Sequence, residues 1–416
     1  MSGDWSVVTL DDVLTEDRDR VEVQPDAEYP IAGVYGFGRG VLLRGSVRGS
    51  EISAKHLYRT SSGQIMYSRL KAFEGAFALV PSVADGRFVS NEFPTFTVDT
   101  ERALPEFIAL VLARPPAWEQ LTKRITGVGA RRERLQVPDF LDFELALPSL
   151  DEQERIVAAT RRVEAAAAAA EHERALSFAA LQAGIDALIV PGGTWDALPA
   201  SWSLSTLGEV ADVRSGITKG RKTKEKLTER PFLRAANVQN GYLDLAEIKP
   251  IEVSDKEIER FRLQEGDVLM VEGSGSRDRL GRGWIWEGQI EDCLHQNHVF
   301  RARPDAEQVL PRFLAYLLDT SAARGHFLEA AKTTSGLVTI NRTQTAALPV
   351  PLPPLAQQAE IVRRLDVLRA AGVAAKRSHS RLERLRAVLI EDLVSGACET
   401  PELPDEGDGA AAAVAA

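Results

Sequence analysis

Two stretches of the chain carry small and apolar residues at helical spacing. In the later one, Ile361, Leu365, Leu368, Gly372, Ala375, His379 and Leu382 alternate by four and three, and Leu385, Leu389 and Leu393 continue after a shift of register. In the earlier one, Ile156, Val163, Ala167 and Ala170 are followed by Leu181, Ile185 and Leu188, with an alanine run at 165–170. Spacings of four and three place side chains on one stripe, the seam of a coiled coil. The pattern therefore predicts two long helices packed antiparallel on each other, the alanines allowing close approach. Pro148 and Pro353-Pro354 mark their starts, and Asp151 and Glu152 suit the positive end of the first helix dipole. Pro191-Gly192-Gly193 stops the first helix. Elsewhere the apolar runs are short, as in Gly75–Val80 and Asp267–Val271, and are punctuated by Gly, Pro and Asn. Such runs predict strands of a compact twisted sheet or barrel-like core.

The chain also repeats itself with a period of about 205 residues. Trp5-Ser6-Val7-Val8-Thr9-Leu10 returns as Trp202-Ser203-Leu204-Ser205-Thr206-Leu207. Leu104-Pro105-Glu106-Phe107 returns as Leu310-Pro311-Arg312-Phe313. The stretch from Leu147-Pro148-Ser149-Leu150 to Gln153 and Ile156-Val157 returns as Leu352-Pro353-Pro354-Leu355 to Gln358 and Ile361-Val362. Three matches in the same order, with divergent sequence between them, predict two modules sharing a frame and differing in surface. The expected class is α+β, with two tandem mixed α/β domains at 1–147 and 192–351. Long helices at 148–191 and 352–396 follow them, and an acidic, alanine-rich, disordered tail occupies 397–416.

A net charge of −10 over 416 residues excludes a uniformly basic coat, but charge is unevenly placed. Seven basic residues lie between Arg39 and Lys71 against Glu51 alone. Eight lie between Val213 and Arg234 against Glu225 and Glu229. One basic run in each half favours nucleic-acid binding over plain solvated surface. Catalytic chemistry is missing. There is no phosphate-binding Gly-x-x-x-x-Gly-Lys loop, no aromatic-terminated Asn- or Asp-Pro-Pro motif for amino-group methylation, and no Gly-x-Ser-x-Gly elbow. Gly273-Ser274-Gly275-Ser276 is followed by Arg277 and Arg279 rather than an apolar helix, which argues against a dinucleotide site. Cys293, His295 and His298 form the one compact cluster of metal-ligand type, and without a second cluster no metal is expected. Two cysteines, no long apolar run and no signal-peptide pattern point to a cytoplasmic protein.

Two divergent modules, each closed by Leu-Pro-x-Leu-x-x-Gln-x-x-Ile-Val and a long helix, resemble the specificity subunit of type I restriction–modification systems. The resemblance runs from Trp5 to about Gly396 and includes Leu198-Pro199 and Trp202 at the start of the second module. Glu152 supplies the acidic residue usual before the motif's Gln, whereas Gln357 stands in its place in the second copy. The resemblance implies that each module is a target-recognition domain reading half of a bipartite double-stranded DNA site. It implies that the helices space the domains and dock two methyltransferase subunits, with restriction–translocase subunits joining for cleavage. Methylation, ATP hydrolysis and cutting would belong to those partners, as would S-adenosylmethionine, ATP and magnesium, so no cofactor is expected here.

Base readout in the major groove needs Arg or Lys for guanine and Asn or Gln for adenine, and phosphates need basic groups and backbone N–H. On that chemistry, Gly36-Phe37-Gly38-Arg39-Gly40 and the run from Gly127 to Arg131 and Arg132 are close-approach loops of the first module. Arg48, Lys55, Tyr58, Arg69, Lys71 and Asn91 are further candidates. In the second module the candidates are Lys219, Arg221, Lys222, Asn237, Ser274, Arg277, Arg282 and Asn297. Gln153, Ile156, Gln358 and Ile361, from the two motif copies, are assigned to partner docking. The competing reading is a coiled-coil scaffold that binds proteins and has no sequence-specific DNA recognition.

Overall fold

The repeated sequences form a repeated frame in the computed structural model, which describes residues 5–123, 134–218, 226–334, 337–398 and 400. The chain divides into two compact units, Met1–Ala170 with His379–Ala416, and Glu171–Ser378. Most of the tail beyond Cys398 lies outside the described residues.

In the first unit, Ser6–Thr9 pairs antiparallel with Glu144–Leu147, bringing the two ends of the globular part together. A four-stranded antiparallel sheet runs in the order Leu14–Glu16, Thr95–Val98, Ile65–Tyr67, Phe77–Leu79. Period-two alternation serves two cores here: Ile65 and Tyr67 join Phe77, Phe96, Phe107 and Phe140, while Met66 and Ala78 join Ala32, Val34 and Val89. Tyr67 and Phe140 lie 4.5 Å apart and Phe96 and Phe140 5.1 Å apart, so the first core is largely an aromatic cluster. A second sheet of five strands runs Asp19–Glu22, His56–Arg59, Phe88–Val89, Glu28–Val34, Val41–Arg48.

The second unit repeats the closing pair as Ser203–Thr206 against Pro349–Leu352, in the same register. Its main sheet runs Ala211–Ser215, Val299–Pro304, Val268–Val271, Gly283–Ile285. Val268–Val271 is buried on both faces, which explains its unbroken apolar run. Three-stranded sheets are added by Lys249–Val253, Thr228–Leu233 and Leu294–His295, and by Gly273–Ser274, Leu337–Thr339 and Lys332–Thr334. A charged cluster fastens the helix that follows to this unit. Arg312 meets Asp366 at 2.9 Å, the Tyr316 hydroxyl donates to Asp366 at 2.6 Å, and the Arg369 guanidinium lies 3.8 Å from the Trp284 ring centre. Asp319 sits buried beside it, and burial pushes its carboxyl up to about 6.

The two long helices are Leu150–Ile189 and Leu355–Ser395. Within the first unit, Ile156, Val157 and Ala159 pack with Leu393 and Val394, and Glu164 meets Arg386 at 3.3 Å. Within the second, Ile185 and Ile189 pack with Ile361 and Leu365. Early residues of one helix therefore meet late residues of the other in both units, as antiparallel packing requires. The buried and half-buried stripe of the second helix keeps its four–three alternation from Leu382 to Arg386, Leu389 and Leu393. The expected register shift at Leu385 is corrected, since that side chain is 51% exposed. Arg386 holds the seam position because its methylene stem can lie on the seam while its charged head reaches Glu164. The first helix shows the same alternation through Ile156, Thr160, Val163, Ala167, Ala170, Arg174, Ser177, Leu181, Gly184 and Leu188.

Candidate nucleic-acid interface

In the second unit, three segments far apart in sequence are joined by backbone hydrogen bonds. The Ile217 amide donates to the His295 carbonyl at 2.8 Å, and the Ile217 carbonyl accepts from the Asn297 amide at 3.0 Å. Next along, the Glu272 amide donates to the His298 carbonyl at 3.0 Å, and the Glu272 carbonyl accepts from Ile340 at 2.9 Å. Ile217, the Asn297-His298 pair and the turn Gly273–Arg277 thus share one locale. Gly275, Ser276 and Arg277 are exposed there, and the Ser276 amide donates to the Ser274 hydroxyl at 3.2 Å, which shapes the turn. His298 is exposed, with its Nδ1 held 2.6 Å from a Glu272 carboxylate oxygen, leaving Nε2 for a second partner. Exposed amides, hydroxyls and arginine suit phosphate, and an amide side chain suits an adenine edge.

In the first unit, the hairpin joining Glu28–Val34 to Val41–Arg48 ends in a loop at 35–40. Tyr35 N–H donates to the Gly40 carbonyl at 2.9 Å and closes the loop. Phe37 N–H donates to the Glu74 carbonyl at 2.6 Å and Gly38 N–H to the Gly75 carbonyl at 3.0 Å, pinning the tip beside Lys71. Arg39 donates to the Gly36 carbonyl at 3.0 Å and lies over the Tyr35 ring, 5.1 Å from its centre. Arg69 donates its amide to the Glu92 carbonyl at 2.9 Å and accepts from Leu135 at 3.0 Å. Arg134 meets Glu92 at 3.0 Å and so lies beside Arg69.

Residues 199–380 match the family model "Type I restriction modification DNA specificity domain". Residues 199–380 are thus similar to a type I restriction–modification DNA specificity domain. Over 178 residues it is 32% identical to the EcoKI specificity subunit of Escherichia coli (strain K12), covering 42% of this chain and 38% of that protein. Over 191 residues it is 30% identical to the StySPI specificity subunit of Salmonella potsdam, covering 45% and 40%. The matched stretch spans about two fifths of these curated relatives. Similarity of fold reaches further. The crystal structure of the HsdS subunit from Thermoanaerobacter tengcongensis matches with a TM-score of 0.51 at 19% identity over 95% of this chain and 97% of that one. A chain from a structural study of complex assembly and conformational transition of the type I R-M system matches with a TM-score of 0.62 at 18% identity, covering 95% and 98%. The two mixed units and the antiparallel helix pair are therefore the fold of these subunits.

Within residues 199–380, the fold removes some candidates from the surface. Asn237 is 4% exposed; its amide donates to the Asp244 and Glu247 carbonyls at 2.9 Å each, and its oxygen accepts from Arg234. Arg282 donates to the Val238 and Ala235 carbonyls at 2.8 and 3.1 Å, and burial lowers its pKa. Both hold the fold rather than face a ligand, and Ser274 is likewise buried. Cys293 and His295 are buried, with His295 Nδ1 against the Val299 carbonyl at 2.8 Å, whereas His298 is exposed. Burial pushes the Cys293 thiol up to about 12 and His295 down to about 4.

In the first unit the strands separate the candidates. Arg39 and Lys71 lie at the hairpin tip, while Arg48 pairs with Glu28 at the other end of the same strands, ~20 Å away at ~3.3 Å per residue. Lys55 is at that far end too, its carbonyl accepting from Val23 at 3.0 Å. Arg18, absent from the candidates, gathers Asn91 at 2.6 Å and Tyr58 at 4.2 Å. Arg131, Arg132, Lys219, Arg221 and Lys222 lie outside the described residues.

The assignment of Gln153, Ile156, Gln358 and Ile361 to partner docking is corrected. Gln153 is 0% exposed; its oxygen accepts from the Leu104 amide at 2.8 Å and its nitrogen donates to the Arg102 and Pro148 carbonyls at 3.1 and 2.9 Å. Gln358 makes the same three bonds to Leu310, Gln308 and Pro353, and Ile156 and Ile361 are core residues. The motif glutamine is thus an internal latch that ties each long helix to the helix start at Pro105 or Pro311. His298 and Phe37 were missed as individuals. A phenylalanine between glycines, and a histidine next to a candidate asparagine, were the available signals.

Proposed function

We propose that the chain is the non-catalytic DNA sequence-specificity subunit of a type I restriction–modification complex, each unit reading one half of a bipartite site. The observation that carries this is a duplicated frame bearing unlike sheets. The closing strand pair and the glutamine latch recur in both units, while the sheets added to the frame differ, five strands in the first unit and two sets of three in the second. A frame repeated with different surfaces suits two different half-sites read by one kind of module. The family match of residues 199–380 supports the same reading.

The repeat also favours partners that bind twice, and methyltransferase subunits are the proposed ones, with restriction–translocase subunits joining for cleavage. Val7 and Leu204, equivalent residues of the two closing strand pairs, are 71% and 49% exposed and offer the same apolar contact in each unit. Adenine methylation, ATP hydrolysis and cutting, with S-adenosylmethionine, ATP and magnesium, are assigned to those partners. Action on cellular DNA places the complex in the cytoplasm. Among the described residues, no helix is long and apolar enough to cross a membrane.

The test is an exchange of residues Trp5 to Phe143 for the corresponding module of another specificity subunit, followed by mapping of modified adenines. One half-site should change and the other persist. Simultaneous change of both halves, or DNA binding without sequence preference, defeats the reading and favours a protein-binding scaffold.

A further inference from the structure

Phe37 combines three properties that rarely occur together. The residue is 62% exposed, its backbone lies in the left-handed region at φ 61°, and its N–H is hydrogen-bonded to the Glu74 carbonyl. Among the described residues it shares a positive φ with one other non-glycine residue, Asp292. A bulky side chain in this region is strained, and such strain persists only where surrounding bonds over-determine it. The bonds are present: Phe37 and Gly38 N–H groups are held by Glu74 and Gly75, and Tyr35 closes on Gly40. Gly38 follows with φ 63° and lies so close to the chain at Ala113 that a Cβ would sit 2.9 Å from its carbonyl. Glycines at 36, 38 and 40 leave Phe37 and Arg39 as the side chains between Tyr35 and Val41.

A core role would bury the ring, yet among the described residues its aromatic neighbour is Trp118, edge to face at 6.3 Å. Arg39, two residues on in the loop, lies over the Tyr35 ring and supplies a cation that suits a polyanion, while Lys71 is held in an ion pair with Glu74 at 2.9 Å. A strained tip, pinned by backbone hydrogen bonds and presenting an exposed apolar ring beside an arginine, matches the demands of unstacking a base step, where a wedge replaces base–base stacking by base–aromatic stacking. We propose that Phe37 is a stacking wedge that opens one base step in the half-site read by the first unit. This rests on the specificity-subunit reading above.

The test uses the full-length chain in its methyltransferase complex. The probe is a duplex carrying the site mapped from modified adenines, with 2-aminopurine placed singly along each half-site. Apart from the target adenines that the methyltransferase subunits flip out, the wild-type complex should brighten the probe at one further step, in one half-site only. Phe37→Gly relaxes the backbone, since glycine adopts positive φ freely, so the fold is kept while the ring is lost. That variant should lose the signal and bind about 5- to 150-fold more weakly, the range for one base–aromatic stack, with an unchanged salt slope because no charge is removed. Phe37→Trp should restore both signal and affinity. Wild-type affinity and signal in Phe37→Gly overturn the wedge and leave sequence-specific binding intact. Absence of sequence-preferring binding by the wild-type complex overturns both.

Discussion

Replacing Gln358 by alanine removes three hydrogen bonds at once, from the Leu310 amide and to the Gln308 and Pro353 carbonyls. All three partners are main-chain groups, and the glutamine that serves them has no solvent exposure. Each bond contributes about 1 kcal/mol net, and more where a buried group is left without a partner, so the cost is about 3 kcal/mol. For a unit of this size that lowers the melting temperature by roughly 6–12 °C. The Leu310 amide, next to the helix start at Pro311, should lose protection from hydrogen exchange first, because it loses its acceptor directly. Gln358→Glu is the informative companion. A carboxyl there would face two carbonyl oxygens, which disfavours its charged form and raises its folded pKa above the unfolded value of about 4.3. A raised folded pKa means that the folded state binds the extra proton. The variant should therefore be most stable below about pH 4 and lose stability as pH rises through the folded value. An alanine variant within about 0.5 kcal/mol of wild type, or a glutamate variant indifferent to pH, refutes the latch.

The remaining predictions are more local. Asp319, with its carboxyl pushed to about 6 by burial, costs stability as pH rises from about 4 to 6. Asp319→Asn should abolish that slope and gain about 3 kcal/mol at pH 8, read by urea denaturation at several pH values. Gly372→Ala should stabilise by about 0.5–1 kcal/mol, because a Cβ there meets open space. Gly184→Ala should not, since its Cβ would lie 2.8 Å from Leu368; equal gains in thermal melts would contradict this seam packing. Replacing Lys219, Arg221 and Lys222 together by alanine should weaken duplex binding and flatten its log–log salt slope by up to about 0.9 per lost phosphate contact. An unchanged slope marks that run as ordinary surface.

The sequence by itself determined the duplication, the two long helices and the four–three seam along them. All three are local or periodic properties: a stripe at this spacing lies on one side of a helix whatever packs against it. The fully buried strand Val268–Val271 was legible for the same reason, as an unbroken apolar run. Only the tertiary structure decided which polar side chains face inward. Gln153 and Gln358 read as surface residues of a helix start, but folding sets each against three main-chain groups about 5 to 50 residues away, and satisfying those groups outweighs exposing the amide. Asn237 and Arg282 were drawn into turns by the same requirement. The seam position of Arg386 depended on Glu164 in the other helix, a partner invisible to periodicity, which preferred the nearby Leu385. The meeting of Ile217, Glu272 and Asn297 likewise arose from backbone bonds between distant segments, and the N–H and C=O groups that make such bonds are the same in nearly every residue.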